Sequence, residues 1–110
     1  MSPQQNCAEV CVTFTTTAEG GRRSAVSLGN GGYRPHFRVS GGEYLGVEYV
    51  VGPQEPVRPG GTALATVSFL YEPTVNYAAL TDGANFQVLE GPNVVGNGHI
   101  VRRHFSQSRA

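Results

Sequence analysis

At 110 residues the chain has room for one domain and one hydrophobic core. Its 39% hydrophobic and 15% charged residues suit a folded protein, and eight acidic against eight basic residues exclude a molecule-wide positive field that would draw nucleic acid, DNA included. All eight basic residues are arginine, so a P-loop, whose lysine reaches the nucleotide phosphates, and Schiff-base catalysis are both excluded.

From the N-terminus onward the apolar residues recur with period two, which is the pattern of half-buried strands. Val10, Val12 and Phe14 fall on one side of the first strand, with Glu9, Cys11, Thr13 and Thr15 on the other. Cys7 and Cys11 share a face of that strand, but at the strand rise their sulfurs stand roughly 13 Å apart, beyond disulfide reach. The three histidines have no metal-ligand spacing relative to these cysteines, so no metal or cofactor is expected. No charged-then-apolar leader opens the sequence and the apolar runs are too short to span a membrane, so a cytoplasmic protein without membrane contact is expected.

The stretch from Tyr33 to Val39 places Arg34, His36 and Arg38 on one face and Tyr33, Phe37 and Val39 on the other. This is a small cationic stripe whose guanidinium groups could fork onto phosphate oxygens. His36 adds charge only when protonated. The competing reading is a solvated strand face, with Arg34 paired to Glu48 or Glu90. Next, Leu45, Val47, Tyr49 and Val51 alternate opposite Glu48 until Gly52-Pro53, where proline ends the ladder. After the turn at Pro59-Gly60-Gly61, the residues Ala63, Ala65, Val67, Phe69 and Tyr71 define another apolar face.

Phe86 and Val88 begin a closing hairpin that turns at Gly91-Pro92-Asn93 into Val94 to Val101. Gly96 and Gly98 share a face of that last strand, where missing side chains let another backbone come close. About six short strands predict an all-β fold, closed as a barrel or packed as a sandwich to dispose of its strand edges.

Several segments in order carry a family resemblance. Glu9-Val10, Glu19-Gly20-Gly21-Arg22, Gly32-Tyr33-Arg34-Pro35, Gly46-Val47-Glu48 and Val57-x-Pro59-Gly60 are followed by Asp82-Gly83-x-x-Phe86 and by Glu90-Gly91-x-x-Val94-Val95-Gly96-x-Gly98. Over residues 8 to 103 the chain resembles the C-terminal (third) β-barrel of the elongation factor Tu (EF-Tu/EF1A) translation GTPases. The resemblance implies a single six-stranded antiparallel barrel; the polar ends of the chain are expected to be flexible, the N-terminus over residues 1 to 7 and the tail over 104 to 110.

In that family the corresponding domain touches the T arm of aminoacyl-tRNA, packs on the GTPase domain and meets the nucleotide-exchange partner. Arg22 and Arg23 match the segment that approaches the T stem, and Gly91 matches a backbone-contact position. His36 stands where the family has glutamine, Leu45 where it has threonine, Glu72 where a lysine is frequent and Asn93 where arginine is usual. Glu72, Leu45 and Asn93 weaken a tRNA contact, because each removes a donor or opposes a phosphate. The domains with which the family grips the acceptor end are not in these residues, so a stand-alone, non-catalytic module linked to translation is expected. Its expected partner is a protein: a translation GTPase, an exchange factor or another factor that recognises EF-Tu. The alternative is a tRNA- or RNA-binding module using Arg22, Arg23, Arg34, His36, Arg38 and Gly91. No Ser-His-Asp or paired-carboxylate spacing stands out, so no hydrolase is expected.

Overall fold

The computed structural model describes residues 6 to 104. Six strands, β1 (Cys7–Phe14), β2 (His36–Arg38), β3 (Leu45–Val51), β4 (Thr62–Phe69), β5 (Asn85–Glu90) and β6 (Asn93–His104), form the chain's framework. They close into an antiparallel barrel in the order β1-β4-β3-β2-β5-β6, leaving no strand edge unpaired. Strand pairing begins at Cys7 and ends at His104, which face each other across β1 and β6, one residue beyond the 8–103 boundaries at each end. Asn6 is tied in as well, through its carbonyl to the Phe69 N–H and its side-chain amide to Glu72. Expectations for residues 1 to 5 and 105 to 110 lie outside the described residues.

Alternation builds the interior. Val10, Val12 and Phe14 from β1, Val47 and Tyr49 from β3, and Val67 and Phe69 from β4 are all buried with Phe37, Phe86 and Ile100. Phe37 and Phe86 stack with centroids 3.9 Å apart, on the neighbouring strands β2 and β5. Long connections close the ends. An isolated bridge between Val26 and Val57 ties the β1–β2 connection to the β3–β4 one; Leu28 is driven into the core from the first of these, and Tyr77 and Leu80 from the connection after β4.

Two positions depart from strict alternation for a local reason. A register shift between Tyr49 and Val51 turns Val51 outward, so it leaves the face of Leu45, Val47 and Tyr49 and stands exposed. Tyr71 lies past the end of β4 and is exposed, not on the apolar face of Ala63 to Phe69. The close approach expected at the last strand is present: a Cβ on Gly98 would stand 2.2 Å from the Cys11 carbonyl oxygen, and one on Gly96 2.8 Å from that of Thr13.

Candidate functional site

The sequence-derived basic residues do not form one surface group. Arg22 leaves the loop after β1 and is ion-paired with Glu90 at the end of β5, while its guanidinium carbon lies 5.4 Å from the Tyr33 ring centroid. The Tyr33 hydroxyl donates to the same carboxylate at 2.6 Å, and its ring stacks on Tyr49 at 5.5 Å. Burial, and then the hydrogen bond to the Glu90 carboxylate, push the Tyr33 phenol far above its ordinary range. Tyr49 is pushed up too, first by burial and then by Tyr33, and its buried hydroxyl has no hydrogen-bond partner among the described residues. This cluster is a brace between the first long connection and the β5 end, with its charges already matched.

Arg34 pairs with Glu48 at 3.3 Å, one of the two partners weighed for it. Arg23 is exposed and makes no ion pair among the described residues. Gly91 opens the two-residue turn between β5 and β6 with φ 58°, a conformation glycine adopts without strain, and open space surrounds it. Asn93 begins β6 opposite Glu90 on the exterior. Leu45 is buried in the core, so its side chain is not presented to a ligand. The Glu72 carboxylate is held by Arg103 at 3.3 Å and by the Asn6 amide at 2.5 Å, so it is a neutralised charge, not a bare repulsive one. Arg103 in turn lies 4.8 Å over the Phe69 ring and donates to the Tyr77 carbonyl.

His36 and Arg38 remain together on β2. His36 lies 5.9 Å from the Tyr44 ring, and the Arg38 guanidinium is 5.4 Å from that same ring. Arg38 donates from Nε to the Gly42 carbonyl at 2.9 Å and from Nη2 to the Gly41 carbonyl at 3.2 Å. It therefore has a fixed direction, with no carboxylate paired to it among the described residues.

Sequence reading did not single out an apolar strip on the opposite wall. Val51 at 59% exposure, Leu64 at 69% and Val101 at 44% line a shallow groove of about 230 Å³ with Glu9 and Thr66. These residues come from β3, β4 and β6, with β1 between the last two, so only the barrel's closure brings them side by side. The signal available beforehand was Leu64 itself, an apolar residue on the polar face of its strand. Val51 carried none, because the bulge that turns it outward has no sequence mark.

Cys7 and Cys11 are unbridged and half-buried on the outside of β1. Burial, and then the nearby Glu9 carboxylate, push the Cys7 thiol up, which keeps it a poor nucleophile. Among the described residues no three His, Cys, Asp or Glu side chains converge as metal ligands, and no helix is long and apolar enough to cross a membrane. In comparisons with known proteins, no family model matches the chain and no curated protein matches it significantly in sequence.

Proposed function

We propose that this barrel is a non-catalytic binding module, similar in role to the EF-Tu C-terminal barrel, that docks on a protein partner belonging to translation. The observation carrying this reading is the exposed strip of Val51, Leu64 and Val101 on a neutral molecule. Apolar side chains grouped in one groove gain free energy on leaving water, whereas scattered ones need no explanation. The pairing of Arg22 with Glu90 and of Arg34 with Glu48 also favours protein over RNA, because those guanidinium groups would have to exchange a carboxylate for a phosphate.

The partner is a translation GTPase, its exchange factor or another factor that recognises EF-Tu. Biolayer interferometry of the immobilised barrel against purified EF-Tu and its exchange factor tests this, with aminoacyl-tRNA as a third analyte. Saturable binding to one of the proteins, weakened at least about tenfold by Leu64→Glu, is expected for a residue near the centre of an interface. Binding to tRNA alone, or protein binding indifferent to Leu64→Glu, would overturn the reading.

A further inference from the structure

The barrel wall away from the Leu64 strip carries a second concavity, a groove of about 470 Å³ lined by Arg38, Ser40, Asn85, Gln87 and Asn97. That volume falls in the range of small-molecule sites. We propose that this groove binds a small polyhydroxylated molecule carrying an oxyanion, the chemistry shared by sugar phosphates and uronates.

Three observations converge on that ligand. The first is the charge. A guanidinium has five N–H donors, and Arg38 uses two of them on the Gly42 and Gly41 carbonyls, leaving three, two of them on Nη1. No carboxylate pairs with it among the described residues. Neutral carbonyl dipoles and the Tyr44 ring orient the group without cancelling its charge, so an anion entering the groove displaces no internal partner.

The second is the register. Arg38 lies opposite Gln87, and Gln87 opposite Asn97, so one row crosses β2, β5 and β6 and sets two amides beside the guanidinium. All three positions lie on the outer face of the barrel. A side-chain amide both donates and accepts, which suits hydroxyl groups better than it suits an apolar surface or a bare ion.

The third is the turn. Ser40 and Gly41 both have positive φ, 45° and 75°, and the Gly42 N–H returns to the Val39 carbonyl at 2.8 Å. This I′-like reversal turns the Gly41 and Gly42 carbonyls onto Arg38 and brings Ser40 to the rim of the groove. Ser40 is the only non-glycine residue with positive φ among those described, a conformation that costs energy unless the surroundings hold it.

Isotope-labelled barrel titrated with glucose 6-phosphate, glucuronate, glucose, inorganic phosphate and a 5′-phosphorylated oligonucleotide, and followed by amide NMR, tests the proposal. Glucose 6-phosphate or glucuronate should saturably shift the amides of Gln87 and Asn97, at least about fivefold more tightly than glucose or phosphate alone, since both halves of the ligand contribute. Whichever of the two binds more tightly identifies the oxyanion as phosphate or carboxylate. Arg38→Ala should abolish the shifts. Because Arg38 also steadies its own turn, Asn97→Ala, on an exposed position, should independently weaken binding at least about threefold. The proposal fails if neither sugar acid shifts these amides, or if inorganic phosphate binds as tightly as both. It fails equally if only a 5′-phosphorylated oligonucleotide saturates the groove, or if binding is unchanged in Asn97→Ala and Arg38→Ala.

Discussion

Arg22 and Arg38 occupy different parts of the barrel wall and are held in different ways. Arg22 lies against the Tyr33 ring and is neutralised by Glu90; Arg38 lies against the Tyr44 ring and is held by two backbone carbonyls. Both guanidinium groups are oriented, yet only the second keeps its charge available. An arginine on the surface of a small barrel is thus a brace or a binding group according to whether its fixing partner is ionic or merely dipolar. The same distinction separates Arg34, paired with Glu48, from Arg23, which has no ionic partner among the described residues.

The comparison can be broken from either side. The largest effect belongs to the wall of the groove: Gly98→Ala drives a Cβ into the Cys11 carbonyl, and the barrel should lose about 3 kcal/mol or more in urea unfolding. On the braced side, Glu90→Ala leaves Arg22 and the Tyr33 hydroxyl without their common acceptor and should cost about 2 kcal/mol. Arg38→Ala should cost less than about 1 kcal/mol, since water can take over the exposed Gly41 and Gly42 carbonyls. If the two substitutions cost the same, the contrast between brace and binding group is lost.

Alkali tests the same brace through its phenols. Burial holds Tyr33 and Tyr49 protonated in the fold, whereas the unfolded chain releases those protons near pH 10, as ordinary tyrosines do. The unfolded state then binds fewer protons, so the phenols' contribution to stability should be level below about pH 9 and fall as the pH rises past about 10. Absorbance of phenolate against pH should show Tyr33 and Tyr49 ionising together with loss of the fold. The smallest effect is a gain: Tyr49→Phe removes a buried hydroxyl with no partner among the described residues and should leave stability unchanged or raise it by up to about 1 kcal/mol.

The strands were legible in the sequence because each buries one face, and Val10, Val12 and Phe14 or Phe86 and Val88 mark that face residue by residue. Gly96 and Gly98 likewise announced the close approach of β1. Partners were harder to read. Glu90 lies 68 residues from Arg22, and two acceptors were open to Arg34 until the pairing of Tyr33 and Pro35 with β3 set Glu48 beside it. Glu72 looked like a bare charge because nothing in its neighbourhood in sequence points to Arg103, 31 residues away. Val51 was placed with the core because its alternation is intact in sequence, and only the bulge after Tyr49 turns it out. The Leu64 strip spans β3, β4 and β6, which only closure brings together, and the polar groove joins the legible β5–β6 hairpin to β2, a strand whose place beside β5 could not be read along the chain.

The most direct test is to titrate the labelled barrel with unlabelled EF-Tu, and separately with its exchange factor, and to map which backbone amides respond. The account predicts that one of the two proteins broadens or shifts a contiguous group centred on Val51, Leu64 and Val101, leaving the Arg22 brace unaffected. Perturbation centred instead on Arg22, Arg23 and Gly91, or no perturbation by either protein, would contradict it.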